Sequence, residues 1–157
     1  MTGLTPCAHG YLFCILTSAV SYVPQAGLKK VLIIDDEEDI RRIAHIALTR
    51  LGGMEVFEAA GGDEGVRLAE KAKPDVILLD MMMPGVDGAA TLGLLRRNAA
   101  TADIPVIFLT ARAQSTDAAT IQQMGARGLL SKPFDPTTLA LDLRAILRRP
   151  VARSQEK

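Results

Sequence analysis

Three uninterrupted apolar runs constrain this chain most: Val31-Leu32-Ile33-Ile34, Val76-Ile77-Leu78-Leu79 and Val106-Ile107-Phe108-Leu109. A strand with one face in water alternates apolar and polar residues. A run that is apolar at every position needs cover on both faces. The segments between the runs supply that cover. Ile40, Ile43, Ala44, Ala47 and Leu51 follow helical spacing, and Gly52-Gly53 stops the helix. Residues 55–59 predict a second, more peripheral strand, and Asp63 is placed to cap a helix running to about Lys71, with Val66 and Ala69 on one side. Leu92 and Leu95 sit on a helix ending near Arg97, and Ile121 and Met124 on a short one closed by Gly125. Gly128-Leu129-Leu130 predicts a brief final strand, and Leu139, Leu143 and Ile146 line a last helix. Five strands alternate with five helices, which requires parallel strands joined by helical crossovers. The expected fold is a three-layer α/β/α sandwich.

Polar residues gather where the apolar runs end. Ile34 is followed by Asp35-Asp36, Leu79 by Asp80, Leu109 by Thr110, and Leu130 by Ser131-Lys132. In an open parallel sheet all the strand carboxyl ends lie along one edge, where ligands bind. Residues far apart in the chain are therefore expected to converge into three carboxylates, one hydroxyl and one ammonium. One Lys cannot neutralise three mutually repelling carboxylates. A hard divalent cation can, and an oxygen-only acidic site with room for water and phosphate suits Mg²⁺. Beside such a cation a central carboxylate becomes a nucleophile toward phosphorus, with Thr110 and Lys132 stabilising charge on the phosphoryl oxygens. Each of these residues has an ordinary structural role when taken singly: helix N-terminal acids, a turn former, a cap, a surface lysine. Their convergence on one edge favours chemistry.

The same residues carry a family resemblance. Lys30-Val-Leu-Ile-Ile-Asp-Asp-Glu, Leu79-Asp80-Met-Met-Met-Pro84-Gly-Val-Asp-Gly88, Leu109-Thr110-Ala111 and Lys132-Pro133-Phe134 resemble the receiver domain of two-component response regulators, over residues 29–149. The resemblance implies a flavodoxin-like, five-stranded parallel sheet of order 2-1-3-4-5. It implies Asp80 as phosphoacceptor, and Mg²⁺ held by Asp35, Asp36 and Asp80 with the backbone carbonyl of Met82. Thr110 becomes the switch hydroxyl, Lys132 its partner at the phosphoryl group, and Lys132-Pro133 a cis peptide. The implied partner upstream is a sensor histidine kinase or a histidine phosphotransfer protein. Downstream it is a protein target at the last two helices, where Arg127, Asp142, Arg144 and Arg148 give a mixed surface; a homodimer stays open. Two departures from the family pattern matter. Leu129 stands where many receivers carry an aromatic switch residue. Met82 and Arg112 occupy positions that tune phosphoryl lifetime, and an apolar Met82 cannot orient attacking water.

Composition removes other classes. Lys and Arg number 18 and Asp and Glu 18, so no net charge drives the chain onto nucleic acid or an anionic membrane. Aromatics make up 4%, with no Trp, too few for a base-stacking platform. Cys7 and Cys14 match neither a zinc site nor a disulfide framework. Neither dinucleotide nor P-loop glycine pattern occurs. A haloacid dehalogenase-type phosphatase needs an acid/base carboxylate two residues past its nucleophile, and position 82 is Met. A pseudo-receiver acting only through partner binding is the alternative kept, although all the acceptor, metal and Lys positions are filled. The chain is expected to be no enzyme beyond self-catalysed phosphoryl transfer and self-dephosphorylation, and to be cytoplasmic.

The organisation expected is a leader over residues 1–28, a receiver domain over 29–149 and a polar tail over 150–157 with no output domain. The leader carries no Lys, Arg, Asp or Glu up to Leu28. A signal or anchor, an unpacked extension and translated upstream sequence are its three readings. The apolar stretch from Tyr11 to Val23 is shorter than the roughly 20 residues that span a bilayer. It also lacks the positive start of a signal peptide. No function is assigned to it. His9 and His45 are read as bystanders, the latter a solvated residue of the first helix, and Met81-Met82-Met83 as packing and turn.

Overall fold

The computed structural model describes residues 27–112 and 118–150. The leader up to residue 26, with Cys7, His9 and Cys14, and the tail beyond residue 150 lie outside them. The elements run β1 (Lys30–Ile34), α1 (Glu38–Ile46), β2 (Glu55–Ala59), α2 (Gly62–Ala72), β3 (Val76–Asp80), α3 (Gly88–Arg97), β4 (Val106–Thr110), α4 (Ala118–Gln123), β5 (Gly128–Ser131) and α5 (Leu139–Arg148). All five strands are parallel in the order β2-β1-β3-β4-β5. Chain order reverses between β1 and β3, where an α/β sheet opens its ligand crevice.

The apolar runs are buried on both faces because alternate residues serve opposite helical layers. Val31, Ile33, Val76, Leu78, Ile107 and Leu109 pack under Ala44 and Leu48 on one side and Leu139, Leu143 and Ile146 on the same side. Leu32, Ile34, Ile77, Leu79, Val106 and Phe108 pack under Ala69 of α2, Leu92 and Leu95 of α3 and Ile121 of α4. Each fully buried Leu or Ile contributes about 2 kcal/mol of transfer free energy, and the three central strands that carry these residues end at the site edge. Leu28, assigned to the leader from sequence, packs against the α1/α5 layer.

Two local expectations are corrected. The first helix does not continue to Leu51 as an α-helix: Ala47–Leu51 forms a π-helical turn, closed by Gly52 N–H donating to Ala47 O at 3.2 Å. Asp63 does not cap α2. Gly61 is the N-cap residue, without a side-chain cap, and Glu64 instead accepts the Ala60 N–H at 2.8 Å. That arrangement brings the helix start against its neighbours, since a Cβ at Gly62 would lie 2.2 Å from Thr91 Oγ1. Arg127 and Arg144, read as part of an output surface, are tied to carbonyls within the molecule: Arg127 to Leu147 and Arg149, Arg144 to Gly52. Among the described residues no helix is long and apolar enough to cross a membrane.

Candidate functional site

Parallel pairing puts the polar residues together as expected. Asp35 follows the last residue of β1, Asp80 ends β3, Thr110 ends β4, and Lys132 follows β5. The registers Ile34↔Leu79, Asp80↔Leu109 and Thr110↔Ser131 align these ends. The Lys132-Pro133 peptide is cis, and Lys132 N–H donates to Thr110 O at 2.8 Å. Gly88 lets α3 begin against the end of β3: a Cβ there would meet the Asp80 carbonyl oxygen at 2.4 Å. Asp87 caps that helix, its Oδ1 accepting the Ala90 N–H at 2.8 Å.

Asp35 is fully buried and Asp80 nearly so, whereas Asp36 and Glu37 are exposed at the rim. Lys132 Nζ reaches into the cluster, 2.5 Å from Asp35 Oδ2, 3.3 Å from Asp80 Oδ1 and 3.4 Å from Glu37 Oε1. Met82 N–H also donates to Asp80 Oδ1, at 3.2 Å. Thr110 Oγ1, buried on the next strand, accepts the Arg112 N–H at 3.1 Å. The sequence reading brought Asp35, Asp36, Asp80, Thr110 and Lys132 to one edge, and all five are there. It gave no role to Glu37, although that residue's place beside Asp35-Asp36 was the available signal.

Burial pushes the Asp80 carboxyl up to about 6 from 3.8; the Met82 N–H opposes this, Asp35 adds to it and Lys132 opposes it. Burial by itself would lower the Lys132 ammonium, yet Asp35 and Asp80 together hold it above its ordinary value. At pH 7 the pair is therefore a carboxylate and an ammonium in a cluster that carries excess negative charge.

Asp35, Asp36 and Asp80 each offer an oxygen, all within 4.8 Å of one another. Asp35 Oδ2 is buried, with the Lys132 ammonium 2.5 Å away. Hard oxygen donors and a surplus of negative charge fit a divalent cation. For Met82 the structure shows the backbone N–H engaged, while its side chain is 79% exposed. Leu129 packs, partly buried, against the α2/α3/α4 layer. His45 keeps a side chain 41% exposed, in line with the solvated residue expected, and its Nδ1 stands 2.6 Å from Glu58 Oε1.

Comparison with known proteins agrees with this geometry. Residues 31–144 match the family model described as the response regulator receiver domain. The chain is 42% identical over 122 residues to the DNA-binding dual master transcriptional regulator RpaA of Synechocystis, covering 78% of this chain and 50% of that protein. It is 39% identical over 121 residues to the phosphate regulon transcriptional regulatory protein PhoB of Pseudomonas aeruginosa, covering 77% and 52%. The chain thus spans about half the length of these curated relatives. Among solved structures, the chemotaxis protein CheY4 of Vibrio cholerae matches with a TM-score of 0.68 and 33% identity, over 76% of this chain and 99% of that one.

Proposed function

The chain belongs to the response regulator receiver domain family, and on that premise we propose that Asp80 accepts a phosphoryl group in a Mg²⁺-dependent switch. The observation that supports this most is the Asp80–Lys132 pair, 3.3 Å apart within a buried acidic cluster at the sheet's crevice. A carboxylate raised to about 6 is both ionised at pH 7 and more basic than an ordinary aspartate, which suits a nucleophile.

In the proposed reaction an Asp80 oxygen attacks phosphorus. A new O–P bond forms as the bond to the donor breaks, the P–N bond of a phosphohistidine or the P–O bond of acetyl phosphate. The product is an acyl phosphate and the freed donor. Lys132 Nζ, already beside Asp80 Oδ1, pairs with a phosphoryl oxygen, and the Thr110 hydroxyl on the adjoining strand contacts another. Asp35, Asp36 and Asp80, with the Met82 carbonyl, are the residues proposed to hold Mg²⁺. The cation supplies positive charge that offsets the carboxylates and the incoming phosphate.

The domain proposed to carry this chemistry is residues 29–149, with the leader and tail outside it. A histidine kinase or phosphotransfer protein is the proposed donor, and a protein docking at α4 and α5 the proposed reader. The DNA-binding named for one curated relative is said of that protein, of which this chain spans half, and is not proposed for these residues.

Intact mass after incubation with acetyl phosphate tests the reading. Wild type is expected to gain one phosphoryl group in Mg²⁺ and none in EDTA, and Asp80→Ala none in either. A folded wild type that gains nothing supports the partner-binding alternative instead.

A further inference from the structure

Asp35 is held at every polar group it has. Its N–H donates to Ala59 O at 3.1 Å, and its Oδ1 accepts the Glu37 N–H at 2.9 Å. Its Oδ2 faces Lys132 at 2.5 Å. Its carbonyl accepts a hydrogen bond from Arg41 Nη1 at 2.7 Å. The last contact stands apart, because that carbonyl belongs to the peptide joining Asp35 to Asp36. Turning this peptide swings the Asp36 carboxylate relative to Asp35 and Asp80.

Arg41 is itself braced. Its side chain is 14% exposed, and its Nε lies 3.6 Å from Glu58 Oε2. Glu58 is on the edge strand β2 in register with Ile33, whose side chain faces α1, so Glu58 projects to the same side. The other Glu58 oxygen meets His45, four residues after Arg41 on the same face of α1. A guanidinium can serve a carbonyl and a carboxylate at once through its fixed fork, whereas an ammonium is one point charge.

We propose that Arg41, anchored by Glu58, is a positioning residue for the metal-binding acids: it orients the Asp35–Asp36 peptide and thereby sets the affinity for Mg²⁺. The inference rests on the metal-site reading above. Partners of this kind, one step removed from the ligands, typically change metal affinity by about 10–100-fold.

The sign of the effect separates positioning from bulk electrostatics. Removing a positive charge near an acidic site should by itself tighten cation binding. Calorimetric titration of the full chain with MgCl₂ reads the dissociation constant without phosphorylation. Arg41→Met is expected to weaken binding about tenfold or more despite the lost positive charge. Arg41→Lys keeps the charge and loses the fork, and is expected to weaken it about threefold or more. Arg42→Met removes an exposed charge whose nearest partner, Glu38, is 4.0 Å away, and is expected to leave it unchanged or slightly tighter. Unfolding in urea with EDTA monitors the fold, and a merely structural role would move the midpoint while leaving the Mg²⁺ affinity of the folded protein alone. If Arg41→Met does not fold, Arg41→Lys decides. Binding by folded Arg41 variants as tight as wild type overturns the proposal. Absence of Mg²⁺ binding by wild type overturns the metal-site reading, and the brace with it.

Discussion

Replacing Asp80 with Asn should make the protein more stable at neutral pH, even though it removes the proposed acceptor. In the folded state the Asp80 carboxyl titrates at about 6 against 3.8 when unperturbed. The folded state therefore binds the proton more tightly than the unfolded one, and stability falls as pH rises between those two values. At about 1.4 kcal/mol per pKa unit, ionising Asp80 costs the folded state about 3 kcal/mol at pH 7. Asn has the shape of the neutral carboxyl and avoids that cost. In EDTA, urea unfolding followed by far-UV circular dichroism should give Asp80→Asn an advantage of about 2–3 kcal/mol at pH 7, shrinking to about 1 kcal/mol at pH 4.5. Added Mg²⁺ should stabilise wild type and narrow the gap, because it binds the folded acidic cluster. A variant no more stable than wild type at pH 7, or an advantage that does not shrink on acidification, would refute the electrostatic description of the site.

Two further outcomes follow from the site's neighbours. Met82→Asn places an amide at an exposed side chain two residues beyond Asp80. It should shorten the lifetime of the phosphoryl group, measured as decay of the phosphorylated mass; equal decay rates would sink that role for position 82. Gly88→Ala drives a Cβ against the Asp80 carbonyl oxygen, backbone that cannot step aside. It should cost about 1–3 kcal/mol in urea unfolding and slow phosphorylation by acetyl phosphate; an unchanged midpoint would mean that α3 is free to shift.

Much of the fold was legible because burial on both faces leaves an unambiguous pattern. No residue of Val31–Ile34 or Val76–Leu79 could tolerate solvent, and all are fully buried. The site was legible for a topological reason: parallel strands bring their carboxyl ends to one edge, so a polar residue after each apolar run is a statement about place. What stayed hidden depended on contacts between elements. The π turn after Ile46 keeps an apolar spacing that an α-helix would also show, so only the hydrogen bond from Gly52 to Ala47 distinguishes it. At α2, Asp63 is a good capping residue, but close packing of Gly62 against Thr91 and Val86 goes with a cap at Gly61, two residues earlier. Arg41 and Glu58 carry no signal in the sequence and His45 reads only as a solvated residue, since pairing between a helix and an edge strand leaves no periodic signal. Glu37 has its partner Lys132 across the sheet edge, beyond β5, so its place beside Asp35-Asp36 is the one sign of it in the sequence.

The central claim is that Asp80, rather than Asp35 or Asp36 beside it, forms the bond to phosphorus. Borohydride reduces an acyl phosphate to an alcohol, converting the modified aspartate to homoserine, which peptide mass mapping locates. After incubation with acetyl phosphate and Mg²⁺, homoserine is expected at position 80 alone. Homoserine at position 35 or 36, or at no position in protein that has gained a phosphoryl mass, would contradict the assignment.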